Sequence, residues 1–258
     1  MHIRELFDLT ERVAIVTGGT GLYGTPISEA LAEAGAHVVI ASRNKARCKA
    51  GAAQLQERGL KASADSYDQG QEDSILEFRD RVLERFGRVD ALVNNSVGRS
   101  MGGYDDALEA WRRSMEVNAT GLFAISRAFG EPMISSGSVS VINIGSIQGV
   151  VAPDFGNYAG TDMTTTPDYQ FHKHGLVGLT KYLAAWAGPH GVRVNAVSPG
   201  SFDEGVLSEP FVSQYCRRVF LGRRAVHDDI KGVVVFLAAD ASDYITGQNI
   251  VVDGGYTC

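Results

Sequence analysis

Positive charge, cysteine, proline and long apolar runs are all scarce in this 258-residue chain, and each shortage removes a class of function. With 24 Lys and Arg against 30 Asp and Glu, the formal net charge is -6. A net field of that sign repels phosphate, so no nucleic-acid partner and no anionic membrane surface is expected, although a local basic site stays open. The three cysteines, Cys48, Cys216 and Cys258, are odd in number and far apart in sequence. They form neither a disulfide framework nor a metal-ligand spacing, and they read as structural thiols of a reducing compartment. No cluster of His, Asp or Glu has zinc-ligand spacing, so no metal is expected. The longest wholly apolar stretch, 233–239, has seven residues, where a membrane-spanning helix needs about 20. Charges scattered through the first residues leave no signal-peptide core, which points to a cytoplasmic protein. There is no G-x-x-x-x-G-K-[ST] loop, which argues against a nucleoside triphosphatase. Nor is there a repeat, low-complexity tract or linker, so residues 1–258 read as a single domain.

What the sequence does hold is alternation. Short β-branched runs at 13–17, 37–41, 91–94, 139–144, 192–196 and 250–252 are strand candidates, and segments 26–34, 45–58, 73–86, 107–129, 172–187 and 230–239 carry helical periodicity. This order predicts an α/β fold, a Rossmann-type doubly wound parallel sheet with helices on both faces. The first strand runs into the glycine-rich turn Thr17-Gly-Gly-Thr-Gly-Leu-Tyr-Gly24. Glycines there admit a close backbone approach, and the free amides and dipole of the following helix attract a phosphate. A glycine-rich turn is also a common structural device of αβ connections, so the motif alone leaves the function open.

The turn resembles the T-G-x-x-x-G-x-G motif of the short-chain dehydrogenases/reductases. Thr17, Gly18 and Gly24 match it, while Leu22 stands where the middle glycine belongs. Further segments are similar in the same order: Asn94-Asn95-Ser96-Val97-Gly98 to the family's N-N-A-G, Val117-Asn118 to its helix asparagine, and 229–255 to its last helix and strand. The resemblance therefore extends from Val13 to Gly255 and implies an NAD(P)-dependent oxidoreductase. It places Gly18, Thr20, Leu22, Tyr23 and Gly24 against the cofactor, with Asp65 and Ser66 at the adenine, Asn95 and Ser96 along the ribose, and Pro199 and Gly200 over the nicotinamide. The family threonine that follows has no counterpart in 201–205. Asn94 fits a strand-tying role as well as a cofactor contact. After the second strand, where an NAD enzyme of this fold usually carries an acid, the sequence has Ser42-Arg43-Asn44. The Arg43 guanidinium suits the 2′-phosphate of NADP, so NADP(H) is expected to be favoured over NAD(H); stacking on adenine without discrimination is the other reading.

The chemistry needs a proton donor or acceptor beside the substrate oxygen, because the cofactor supplies the hydride. Tyr169 and Lys173, four residues apart, share one helical face, and an ammonium near a phenol favours the phenolate. The resemblance makes Tyr169 the acid/base and Lys173 its partner and a holder of the nicotinamide ribose. It makes Ser146 a hydrogen-bonding dipole for the substrate oxygen and Asn118 the holder of a water near the lysine. Tyr158 competes with Tyr169, lying 12 residues beyond Ser146 where Tyr169 lies 23 beyond. Its i+4 neighbour is Asp162, whose charge opposes phenolate formation. The reading is therefore an insertion at about 154–165 before the catalytic helix, with Tyr158 as a substrate contact or a loop-packing residue.

The insertion and segment 201–224 are expected to form the substrate lid, with Ser146, Gln148, Tyr158 and Phe202 as substrate contacts. The resemblance points to a secondary alcohol or ketone on a small molecule, with a sugar or polyol as the lead. Arg99, Arg217, Arg218, Arg223 and Arg224 are read either as an anionic-substrate pocket or as surface and interface residues. A non-catalytic dinucleotide-binding sensor or scaffold of the same fold is the alternative, and a methyltransferase is a further one. The resemblance implies a homo-tetramer or homo-dimer assembled through long helices, and 107–129 and 176–187 offer apolar faces for that.

Overall fold

The computed structural model describes residues 1–137, 139–203, 205 and 209–258. Seven strands, β1 (Val13–Thr17), β2 (His37–Ser42), β3 (Ala62–Ser66), β4 (Ala91–Asn94), β5 (Val139–Ile144), β6 (Val192–Pro199) and β7 (Asn249–Val252), form one all-parallel sheet in the order β3-β2-β1-β4-β5-β6-β7. The order reverses between β1 and β4, which opens a crevice at the carboxyl ends of the strands. Helices α1 (Ile3–Leu6), α2 (Gly24–Glu33), α3 (Lys45–Glu57), α4 (Glu72–Phe86), α5 (Leu108–Met115), α6 (Gly121–Ser136), α7 (Pro167–Ala187), α8 (Glu209–Cys216) and α9 (Lys231–Ala238) complete the chain. The doubly wound α/β fold read from the sequence is thus the one observed.

Parallel strands covered on both faces read as continuous apolar runs, and all five residues of β1 are buried. Their side chains alternate between two cores. Ala14 and Val16 join Ile27, Leu31, Leu55, Val234 and Leu237 on the α2, α3 and α9 side; Val13 and Ile15 join Phe78, Val82, Ile125, Phe129 and Leu183 on the α4, α6 and α7 side. A smaller cluster of Ile147, Phe211, Tyr215, Val219 and Tyr256, with Tyr158 packed against it, sits beyond the ends of β5 and β6.

Two expectations change. The segment 107–129, read as a single helical run, is α5, a π-helical turn over Glu116–Thr120 and α6, and α6 runs on to Ser136 through Pro132. The wider turn carries Asn118, whose side-chain amide bonds the loop after β4. The edge strand β3 has no large β-branched residue, and its Ala-Ser-Ala-Asp-Ser sequence carries no strand signal of its own; its pairing with β2 makes it a strand.

Candidate active site

The cleft at the β1/β4 switch point has a volume of about 800 Å³. Gly18 holds φ +60 at the end of β1, and a Cβ on Gly24 would overlap the Gly18 carbonyl oxygen. Only glycines let the chain turn this tightly into α2, and the turn leaves backbone amides facing the cleft. Gly24 itself stands behind the cleft surface, which Gly18, Thr20, Leu22 and Tyr23 line. Leu22, in the place of a glycine, faces both this cleft and its neighbour. The turn is tied to β4 through Thr17, whose hydroxyl accepts from the amides of Asn95 (2.9 Å) and Ser96 (3.1 Å), while Asn95 Nδ2 donates to the carbonyls of Thr17 and Gly18. Asn94 is turned inward, donating to Asn143 Oδ1 at 2.9 Å, which settles its part as a strand tie. A dinucleotide's size, a glycine cradle and Arg43, Lys45 and Arg47 on the wall all fit a nicotinamide dinucleotide.

Asp65 and Ser66 lie outside that lining. The Asp65 carboxylate pairs with Arg81 at 3.0 Å, and Arg81 also donates to the Ser66 carbonyl. Tyr67, Asp68 and Gln69 line the cleft instead. The physical reason is strand length: β2 and β3 stay paired as far as Ser42 and Ser66, so the chain turns toward the cleft only after Ser66.

At the far end of the cleft, Ile144, Gly145 and Ser146 leave β5, and Pro199 and Gly200 leave β6. Here a second pocket of about 680 Å³ opens, and Ser146, Tyr169, Leu22, Tyr23, Arg99 and Gly200 face both. Pro167 at the first turn starts α7, putting Tyr169 and Lys173 on the face toward β5. Lys173 Nζ donates to the Ile144 carbonyl at 2.7 Å and lies 5.6 Å from the centre of the Tyr169 ring. Burial pushes this ammonium down to about 7, and the Arg99 guanidinium adds to the shift. The Ser146 hydroxyl accepts from Gln148 N at 3.1 Å, which leaves its own O–H to donate. The Asn118 amide is spent on the Gly98 backbone, donating and accepting at 2.8 Å, and on Ser114. Ser114 in turn bonds the buried Asp168 carboxylate. Next to Tyr169, His172 is driven down to about 3 by burial and by Lys173, so it is neutral. The set combines a phenol, a hydroxyl and a titratable ammonium at one junction, the parts proton transfer at an alcohol requires.

Tyr158 lines the second pocket and not the cleft. There its hydroxyl accepts from Gln148 Nε2 at 3.3 Å and its ring packs 5.4 Å from Phe211. Burial raises its hydroxyl above the ordinary tyrosine range. Gln148 also accepts from Thr165 at 2.6 Å, so the residues flanking Tyr158 are cross-braced. Phe202 faces the pocket from the other side, edge-on to Tyr23 at 5.2 Å. Arg218 pairs with Asp154 at 2.6 Å and Gln214 donates to the Ala159 carbonyl at 2.9 Å, joining the 201–224 segment to residues 154–165. Residues 204 and 206–208 of that segment lie outside the described residues.

Among the described residues, no helix is long and apolar enough to cross a membrane. The family model described as "Enoyl-(Acyl carrier protein) reductase" matches residues 23–257. Gluconate 5-dehydrogenase of Gluconobacter oxydans is 30% identical over 98% of this chain and 97% of its own. D-threitol dehydrogenase of Mycolicibacterium smegmatis is 34% identical over 97% and 95%. Among solved structures, a gluconate 5-dehydrogenase from Burkholderia cenocepacia in complex with NADP and tartrate superposes with a TM-score of 0.90 at 30% identity, covering 99% of both chains. With the family model matching residues 23–257 and the relatives and solved structures covering nearly the whole chain, the chain belongs to the short-chain dehydrogenase/reductase family of NAD(P)-dependent oxidoreductases.

Proposed function

We propose that the chain interconverts a secondary alcohol and a ketone on a small hydroxylated molecule, a sugar, polyol or close relative, with NADP(H) preferred over NAD(H). The observation that carries this reading is the junction itself, where Ser146 and Tyr169 face both cavities and Lys173 stands behind the phenol. The nicotinamide, when bound, supplies the hydride acceptor or donor. Tyr169 takes the alcohol proton in oxidation and returns it in reduction. Ser146 donates to the substrate oxygen as charge develops there, and Lys173 holds the ribose and favours the phenolate. Asn118 acts at one remove, by fixing the loop that carries Gly98 and Arg99. Arg43, on the cleft wall with Lys45 and Arg47, meets a 2′-phosphate. Asp68, rather than Asp65, takes the adenine side.

The 154–165 insertion and the 201–224 segment serve as substrate wall and lid. Thr164, Thr165, Asn157 and Gln148 give that wall hydroxyl and amide groups, and Tyr158 and Phe202 give it flat apolar surface, a mixture suited to a polyhydroxylated carbon chain. The relatives named for gluconate and D-threitol support the same class. Exposed Phe123, Tyr182 and Trp186 on α6 and α7 support association of copies through these helices.

Tyr169→Phe tests the proton role. Turnover of any alcohol should fall by at least about a thousandfold, with NADPH binding kept within a few-fold by fluorescence titration. Retained turnover would refute the assignment.

A further inference from the structure

Of the five arginines singled out in the sequence, three are committed: Arg218 to Asp154, Arg223 to Asp229, and buried Arg224 to Asp203 and Ser201. Arg217 lines neither large cavity. Of the five, Arg99 is the one that is both uncommitted and in the site. It faces the cleft and the second pocket together, its guanidinium lies 5.4 Å from the centre of the Tyr169 ring, and among the described residues it makes no ion pair and no side-chain hydrogen bond. Its backbone is held in place, since Asn118 clamps the preceding Gly98 at both its amide and its carbonyl. A permanent cation presented on an anchored loop, beside the phenol and with all its donors unspent, is a preorganised half of an ion pair.

The acids of the second pocket leave this charge uncompensated. Asp154 is neutralised by Arg218, Asp168 is buried against Ser114, and Asp162 is solvent-exposed. Lys173 adds a second, titratable positive group, 5.6 Å from the centre of the same Tyr169 ring. A neutral polyol offers Arg99 only hydroxyl acceptors, whereas a carboxylate matches its fork with two charge-assisted bonds. From this we propose that Arg99 is a specificity-determining residue, and that the substrate is a hydroxy acid whose carboxylate pairs with Arg99 while its secondary alcohol meets Ser146 and Tyr169. The proposal rests on the alcohol–ketone reading above and narrows its substrate class from sugars and polyols in general to their acids.

The test uses matched pairs that differ in charge at one end: D-gluconate with D-sorbitol, D-xylonate with xylitol, and L-lactate with propane-1,2-diol, each with NADP+ and with NAD+. We expect at least one acid to exceed its paired alcohol tenfold or more in kcat/KM. Arg99→Ala should bring that ratio close to one, chiefly by raising KM for the acid about 30-fold, and Arg99→Lys should restore part of it. NADPH titration of each variant verifies that the cofactor site is intact. An acid preference that survives Arg99→Ala overturns the proposal. So does an equal loss on acid and alcohol, which would mean that Arg99 acts on the phenol. Turnover of the neutral partners alone overturns it too, while leaving the oxidoreductase reading in place. If no alcohol of any pair reacts with either cofactor, the sugar and polyol reading falls first and takes the narrower one with it.

Discussion

The cleft at the switch point and the pocket beyond Tyr169 meet at shared residues, yet they are built from different material. The cleft is shaped mainly by backbone: the Gly18–Gly24 turn, the Thr17 bonds to the loop after β4, and the strand ends of β5 and β6. The pocket is shaped by side chains from residues 154–165 and from the region around α8, held by Gln148–Tyr158–Thr165 contacts and an exposed Arg218–Asp154 pair. A wall made of backbone tolerates little change and recognises what every dinucleotide shares. A wall made of side chains on loops is free to vary, and specificity resides there.

The comparison can be broken most severely at Gly24. In Gly24→Ala the added methyl overlaps the Gly18 carbonyl, so the whole phosphate turn must move, and NADPH affinity should drop by at least about a hundredfold in fluorescence titration. An unchanged affinity would mean the backbone of the turn does not set the site. Arg43→Asp probes the only part of the cleft in which a side chain is asked to choose. NADPH affinity should fall roughly 30-fold, the loss of charge-assisted bonds worth about 2 kcal/mol, with NADH affected less than threefold. Equal losses for both cofactors would show that Arg43 does not read the phosphate.

Lys173 lines the cleft and sits beside the Tyr169 ring that the two regions share, and its ionisation provides a finer probe. Because burial brings it to about 7 in the free chain, it has shed most of its proton at pH 8.5, and an anionic cofactor on the ammonium draws that proton back. Calorimetry in buffers of different ionisation enthalpy should find uptake rising from near zero below about pH 6 to about one proton at about pH 8.5, and none in Lys173→Met. The sign for stability follows from the same shift. The unfolded chain holds this proton up to about 10.5, so the buried lysine destabilises the fold at pH 7 and below, and less so as pH rises toward 10.5. The smallest effect belongs to the pocket: Tyr158→Phe should raise KM only a few-fold and leave kcat within about twofold, since it removes one hydrogen bond to Gln148. Loss of turnover there, with Tyr169→Phe still active, would exchange the roles of the two tyrosines.

Legibility in the sequence follows the same division. The fold class, six of the seven strands, the glycine turn and the Tyr169–Lys173 spacing are local patterns, and each appears where it was read. What was missed depends on pairing between distant segments. The register of β2 with β3 carries the strand to Ser66 and moves the cleft contact from Asp65 to Asp68; the clue available was that a partner for Ser42 pushes the turn further along. The π-helical turn at Glu116–Thr120 follows from the inward bonds of Asn118 to Gly98 and Ser114, two contacts that no helical periodicity encodes. Arg99 could be listed with other arginines from sequence, but which three of the five are paired among the described residues is decided by Asp154, Asp203 and Asp229, and which of the other two faces the site is decided by the fold.

The ties of Arg218 to Asp154 and of Gln214 to Ala159 carry a mechanical consequence. Two stretches of chain more than fifty residues apart, both contributing lining to the second pocket, are thereby fastened to each other. An exposed ion pair contributes at most about 1 kcal/mol and weakens with added salt, so the charged one of the two ties loosens with ionic strength while the neutral Gln214–Ala159 bond does not.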